Sequence, residues 1–324
     1  MAKPVLLMTG PMMPLIEKGA EAAFTVHRMQ EASDRAALLS RVGPEVQAVC
    51  TGGHTGVKTD AALMAALPKL KIIANFGVGY DSIDVAAAAA RGVTVTNTPD
   101  VLTEEVADTT VGLLISTVRE FYKAEKWLRD GRWGKEGDYR LTPASLRGRS
   151  VGIAGLGRIG KAIAKRCEAF GMPISYYGRS RQSDVSWRHY TDLVALAKDV
   201  DTLIIATPGG PATRNLVNAA VLEALGPNGI FINISRGTVV DEAALITALR
   251  NRTILAAGLD VFMNEPNPDP AFLTLDNVSL LPHVGSASIH TRNAMGQLVV
   301  DNLAAYATGK PPLTPVPETP FKAW

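Results

Sequence analysis

The 324-residue sequence predicts an α/β protein built on two parallel sheets. Short apolar runs alternate with helix-period stretches along almost the whole chain, and the spacing between runs leaves room for the crossover helices that parallel strands require. The length also exceeds the size, about 250–300 residues, at which single cores stop growing, so two domains are expected.

In the first series the expected strands are Val5–Met8, Phe24–His27, Val46–Thr51, Ile72–Asn75 and Val93–Asn97. Helical patterns at Asp34–Val42, Asp60–Leu67 and Ser82–Arg91 lie between them, the last stopped by Gly92. Leu102–Arg129 reads as one long helix, with Glu104 and Glu105 in a first turn where acids complement the helix dipole. Gly131–Arg149 is polar and glycine-bearing, a surface arm. A second series follows, with strands at Ser150–Ala154, Ile174–Tyr177, Thr202–Ala206, Ile230–Ile234, Leu255–Leu259 and Val278–Leu281. Helices are expected at Arg158–Phe170, Asp192–Lys198, Ala219–Ala224 and Asp241–Leu249. Six such strands with crossover helices predict a doubly wound sheet of the dinucleotide-binding kind. One more helix, Ile289–Ala307, precedes a tail whose five prolines between Pro311 and Pro320 exclude regular structure.

Composition narrows the function classes. Lys and Arg number 33 against 31 Asp and Glu, so no basic footprint for nucleic acid is present. Cys50 and Cys167 are too few for a disulfide framework and read as small buried apolar residues, and no ligand cluster for a metal stands out. No stretch approaches the roughly 18 apolar residues of a membrane span, and the N-terminal apolar run is too short for a signal peptide. A soluble cytoplasmic protein is the expectation.

The run Gly155-Leu-Gly157-Arg-Ile-Gly160 follows an apolar strand and opens an amphipathic helix carrying Ile159, Ile163, Cys167 and Phe170 on one face. In that context Gly155 permits the tight turn, Gly157 lets a pyrophosphate approach, and Gly160 lets helix and strand pack closely. Helix N–H groups then face the anion. A site for NAD places an acid at the end of the next strand. Here that strand ends in Gly178-Arg179-Ser180-Arg181, whose guanidinium and hydroxyl groups suit a 2′-phosphate. NADPH is therefore expected, with NADH as a weaker alternative.

Three charged residues end later strands, where ligands bind in such sheets: Arg236 in Asn233-Ile-Ser-Arg-Gly237, Glu265 before Pro266, and His283 in Leu281-Pro-His-Val-Gly285. With Gly258-Leu-Asp-Val-Phe-x-x-Glu-Pro266, Asn75-Phe-Gly-Val-Gly-Tyr-Asp-Ser-Ile-Asp84 and Glu105-Val-Ala-Asp, these strings carry a match that covers nearly the whole chain. The sequence resembles the D-isomer-specific 2-hydroxyacid dehydrogenase family, and Gly178-Arg-Ser180 looks like its NADPH-dependent glyoxylate/hydroxypyruvate reductases.

That resemblance implies a Rossmann nucleotide domain at residues 100–287 and a second, flavodoxin-like substrate domain at residues 1–99 and 288–324. It implies reduction of small 2-oxo acids, glyoxylate to glycolate and hydroxypyruvate to D-glycerate. Arg236, Glu265 and His283 are its catalytic residues, and Val78, Gly79, Arg236 and His283 bind substrate. The implied cofactor site comprises Gly155, Leu156, Gly157, Arg158, Ile159, Gly160, Arg179, Ser180, Arg181, Thr207, Pro208, Thr213, Ile234, Ser235, Arg236, Asp260, His283 and Gly285. Asp260 would accept from the nicotinamide amide. A homodimer through the nucleotide domain is implied, with the arm bearing Trp133 and Tyr139 as its contact. Two other readings are a dehydrogenase for a bulkier acid such as phenylpyruvate, and a nucleotide-sensing corepressor-like binding protein. His54, after a substrate-domain strand, is a candidate for lining the site, whereas His27, His189 and His290 read as structural or surface residues.

Overall fold

The computed structural model describes residues 2–52 and 57–324, so His54 lies outside the described residues. The chain divides into two compact units, Met1–Leu102 with Ser288–Trp324, and Thr103–Ala287.

The first unit holds a five-stranded parallel sheet of β1 (Val5–Met8), β2 (Thr25–Arg28), β3 (Val46–Gly52), β4 (Ile72–Phe76) and β5 (Thr94–Thr96) in the order β2-β1-β3-β4-β5. This is the flavodoxin-type order, in which β1 sits inside the sheet. Both faces are covered. Leu6, Met8, Cys50, Ile72 and Ala74 pack under α1 (Pro14–Ala23) and the C-terminal helix Ile289–Ala307. Leu7, Val49 and Ile73 point the other way, against α2 (Arg35–Val42), α3 (Ala61–Ala65) and α4 (Val85–Ala90). A side-chain period of two on a sheet buried on both sides explains why these strands read as unbroken apolar runs. Asp34, Asp60 and Asp84 cap α2, α3 and α4 by accepting backbone N–H bonds, which starts each helix one to three residues later than the sequence pattern suggests.

In the second unit the helix expected over Leu102–Arg129 is broken. α5 (Thr103–Arg119) stops at Glu120, which adopts a left-handed conformation (φ 51°), and α6 (Phe121–Arg129) starts in a new direction. The Glu120 carboxylate accepts bonds from Lys123, Tyr139 and Arg140 and so ties the arm to the helix junction. Burial pushes that carboxyl up, but those three donors outweigh it and hold it below the usual range. The arm itself contains a short helix, α7 (Arg132–Glu136).

Beyond the arm come β6 (Val151–Ala154), α8 (Arg158–Ala169), β7 (Ile174–Tyr177), β8 (Arg188–Tyr190), α9 (Leu193–Lys198) and β9 (Thr202–Ile205). The unit ends with α10 (Ala219–Leu225), β10 (Ile230–Asn233), α11 (Glu242–Arg250), β11 (Ala256–Leu259), α12 (Pro270–Thr274) and β12 (Val278–Leu280), while α13 is the helix Ile289–Ala307 of the first unit. The seven strands run β12-β11-β10-β9-β6-β7-β8, all parallel. One strand exceeds the sequence expectation: β8 is a three-residue edge strand whose Arg-His-Tyr pattern carries almost no apolar signal. The order reverses between β9 and β6, so the carboxyl ends of those neighbours form the switch point where ligands bind. α5 and α8 cover one face through Val111, Leu114, Ile163 and Cys167, and α9, α10 and α11 cover the other through Leu196, Leu222 and Leu249. Among the described residues no helix is long and apolar enough to cross a membrane.

Candidate active site

The chain turns from β6 into α8 through Gly155–Gly157. Gly155 has φ +96°, and a side chain on Gly160 would meet the Gly155 carbonyl oxygen at 2.2 Å, so strand and helix can approach this closely only without a Cβ. Gly157 caps α8 with no side-chain bond to its first turn, and a Cβ there would meet nothing within 4 Å. The first turn of α8 therefore begins without a side-chain cap from Gly157, at the positive end of the helix dipole. Across the switch point, Thr207 follows β9, and its buried Oγ1 has no hydrogen-bond partner among the described residues. Thr213 donates to the Pro208 carbonyl at 2.7 Å and closes that loop. Arg179, Ser180 and Arg181 follow β7 and are exposed, and neither arginine pairs with a carboxylate among the described residues.

At the ends of β10, β11 and β12 three loops are knitted together. Asn233, fully buried at the end of β10, accepts from the N–H and Oγ of Ser235 and donates to the Arg236 carbonyl at 3.0 Å, a bracket that fixes the backbone bearing Arg236. The Arg236 guanidinium donates to the Ser235 carbonyl at 2.7 Å. Gly237 lies so close to the next loop that a Cβ would fall 1.9 Å from the Phe262 carbonyl carbon. That loop carries Glu265. Its Oε1 accepts from the Phe262 N–H at 2.9 Å, and its Oε2 lies 2.7 Å from His283 Nδ1. Both side chains are about four-fifths buried, at 20% and 17% exposure, which strengthens the pair relative to a solvated one. A carboxylate can only accept, so Nδ1 carries the proton in this contact and Nε2 is the nitrogen available for proton exchange.

His283 sits at φ +53°, a conformation that costs a non-glycine residue free energy and is found where surrounding structure enforces it. Asp260 enforces it. Its two carboxylate oxygens accept from the N–H groups of Val284 (2.7 Å) and Gly285 (2.9 Å), and its own N–H donates to the Asn233 carbonyl. Asp260 therefore links the Arg236 loop to the His283 loop. Burial pushes its carboxyl above the usual range, against the pull of those two N–H bonds. Its oxygens are thus engaged as a loop anchor, alongside the amide-accepting role that the resemblance assigns to it.

Glu242, the first residue of α11, was not legible as part of this site. Its Oε1 accepts from the Met263 N–H at 2.6 Å and so steadies the loop that carries Glu265. No sequence spacing announces a bond from a side chain to a backbone group 21 residues away. Burial holds the Glu242 carboxyl above the usual range, and nearby Asp269 and Glu265 add to the effect. The folded chain consequently holds this proton more tightly than the unfolded one. Its contribution to stability is present below the ordinary glutamate value and declines as pH rises through the folded value. Glu242→Ala, which orphans the Met263 N–H, is expected to cost about 1–3 kcal/mol. Glu242→Gln, which keeps an acceptor, should cost less and flatten this pH dependence, as urea midpoints at several pH values would show.

In the first unit, the loop after β4 holds Val78 and Gly79. Asn75 donates to the carbonyls of Gly77 and Gly79 at 3.0 Å each, and Asn97 donates to that of Val78 at 2.9 Å. With those carbonyls fixed, no acceptor among the described residues takes the N–H of Val78 or Gly79.

Residues 111–285 match the family described as D-isomer specific 2-hydroxyacid dehydrogenase, NAD binding domain. The chain belongs to this family. Over 311 residues this dehydrogenase is 44% identical to a glyoxylate/hydroxypyruvate reductase A of Arabidopsis thaliana, covering 96% of this chain and 98% of that one. It is 43% identical to a hydroxyphenylpyruvate reductase of Plectranthus scutellarioides, again over 96% and 98% of the two chains. Among solved structures, an NADPH-dependent glyoxylate/hydroxypyruvate reductase from Sinorhizobium meliloti, in complex with NADP and malonate, superposes with a TM-score of 0.94. That chain is 53% identical, and the match covers 100% of this dehydrogenase and 99% of the other. The Rossmann unit and the second parallel α/β unit expected for the family are both present.

Proposed function

We propose that this dehydrogenase reduces small 2-oxo acids with NADPH, taking glyoxylate to glycolate and hydroxypyruvate to D-glycerate. The observation that carries the reading is the buried His283–Glu265 pair, held at the carboxyl edge of a sheet whose switch point is built for a dinucleotide. Residues 100–287 act as the nucleotide domain, and residues 1–99 with 288–324 as the substrate domain.

The residues present fit the nucleotide. Gly157 has no Cβ to obstruct a pyrophosphate and leaves the start of α8 without a side-chain cap, so the positive end of the helix dipole suits that anion. The orphaned Thr207 hydroxyl lacks the partner that a bound ligand would supply. Arg179 and Arg181, lacking carboxylate partners, suit the extra phosphate of NADPH, with Ser180 as a further donor. Bound there, the reduced nicotinamide supplies hydride to the carbonyl carbon.

The chain's own residues do the rest. Arg236 grips the substrate carboxylate and carbonyl oxygen through its planar fork and stabilises negative charge as it grows on that oxygen. His283 donates the Nε2 proton to the carbonyl oxygen as it acquires alkoxide character. Glu265 keeps Nδ1 protonated and the ring fixed, and its charge favours the imidazolium. Asp260 holds the loop that aims the imidazole.

Loss of NADPH absorbance on adding glyoxylate or hydroxypyruvate tests the reading, with parallel assays using NADH. The similarity to a hydroxyphenylpyruvate reductase favours one alternative, an aromatic 2-oxo acid as substrate. A kcat/KM for phenylpyruvate above that for glyoxylate would establish the alternative. Arg179→Ala is expected to weaken NADPH by about 1.5–3 kcal/mol, roughly 10- to 150-fold in Kd, and to leave NADH nearly unchanged.

The arm supports a homodimer. α6 and α7 bury no residue, and Phe121, Leu128, Trp133 and Leu141 are exposed on or beside them. Two unpaired buried thiols, Cys50 and Cys167, suit a reducing cytoplasm. Burial pushes both to about 12, which leaves them inert as nucleophiles.

A further inference from the structure

We propose that Gln182 and His189 are positioning residues for nucleotide choice, clamping the two ends of the Gly178–Arg181 loop so that its guanidinium groups are presented to a 2′-phosphate. This rests on the NADPH reading above and extends it to two residues outside the cofactor site that the resemblance implies.

The loop leaves β7 at Gly178 and carries three exposed side chains in a row, Arg179, Ser180 and Arg181. Such a segment, left to itself, spreads its charges over many orientations, and ordering it on binding would consume affinity. Both of its ends are tied. At the start, the Gly178 carbonyl accepts from His189 Nε2 at 2.9 Å, and the Gly178 N–H donates to the Tyr190 carbonyl at 3.3 Å. A carbonyl cannot donate, so the proton of this contact belongs to His189 Nε2. The His189 ring lies 5.0 Å from that of Tyr176, centroid to centroid, and Tyr176 is fully buried. At the far end, the Gln182 N–H donates to the Tyr176 hydroxyl at 2.8 Å. The Gln182 side chain then reaches the glycine-rich turn itself, donating to the Leu156 carbonyl at 2.8 Å.

One buried tyrosine thus braces both clamps, and Gln182 sets the distance between the loop that selects the nucleotide and the turn that holds its pyrophosphate. The edge strand β8 acquires a purpose on this reading, because it carries His189 into place. A preorganised pair of guanidinium groups discriminates between nucleotides, whereas a wandering pair mainly adds nonspecific charge.

The test is a double-mutant cycle. Dissociation constants for NADPH and NADH are measured by quenching of protein fluorescence in Gln182→Ala, His189→Phe and Arg179→Ala, and in Arg179→Ala combined with each. His189→Phe keeps a ring against Tyr176 and removes the donor. Either clamp variant is expected to raise the Kd for NADPH about five- to tenfold, consistent with one lost hydrogen bond, and that for NADH less than twofold. In the Arg179→Ala background the further loss for NADPH should shrink below twofold, because the group being positioned is gone. If Arg179→Ala is selective for NADPH but the clamp variants weaken both nucleotides equally, the clamp proposal is wrong and the 2′-phosphate reading stands. If Arg179→Ala itself weakens both equally, the 2′-phosphate reading fails and takes the proposal with it. Should His189→Phe not fold, Gln182→Ala, a half-buried side chain on a surface loop, decides alone.

Discussion

His283→Gln is expected to lower kcat for glyoxylate reduction by about 10²–10⁴-fold, the range that a positioned general acid contributes. The amide fills nearly the same space and can still hydrogen-bond, but it has no proton acidic enough to transfer to the nascent alkoxide. The Kd for NADPH should change far less than kcat, because the elements that hold its phosphates do not include this side chain. Glu265→Gln should fall between wild type and His283→Gln. It keeps a side chain within reach of the imidazole and of the Phe262 N–H, but removes the charge that favours the imidazolium. Steady-state kinetics with a parallel nucleotide titration check both. A His283→Gln enzyme turning over within threefold of wild type would remove the histidine from the reaction.

Arg236→Ala should reduce kcat/KM by about 10²–10³-fold, the cost of deleting one preorganised donor to developing oxyanion charge. Part of the loss belongs in KM, since the same fork grips the carboxylate in the ground state. Arg236→Lys should recover little, because an ammonium cannot reproduce a bidentate, planar contact. The backbone in this loop is held by Asn233 and by the tight passage of Gly237 past Phe262, so the truncation should leave the loop in place and unfolding midpoints near wild type. A kcat/KM for Arg236→Ala within fivefold of wild type would show that substrate is anchored elsewhere.

The parts of this protein that were legible in its sequence are those whose signal is local. Strands buried on both faces announce themselves as apolar runs, and the glycine turn between β6 and α8 needs small residues at fixed intervals because a helix must pass within contact of a strand. The break at Glu120 was not legible, because the helical pattern of α5 runs straight into that of α6 and the interruption is a single backbone rotation. β8 escaped notice because an edge strand of three residues has little to bury. Glu242, Gln182 and His189 share a different reason. Each acts through a bond to a backbone atom, on Met263, Leu156 and Gly178 respectively, and a peptide group is the same whatever residue bears it. Only the folded chain says which peptide is near.

The strand order has a consequence for how such an enzyme diversifies. The loop after β7 lies on one flank of β6, and the loops after β10, β11 and β12 lie beyond β9 on the other. Selection for a different electron donor therefore acts on a few residues at one end of the sheet, while the machinery that handles protons at the opposite end goes undisturbed. An ancestor could have switched its redox pool without relearning its chemistry.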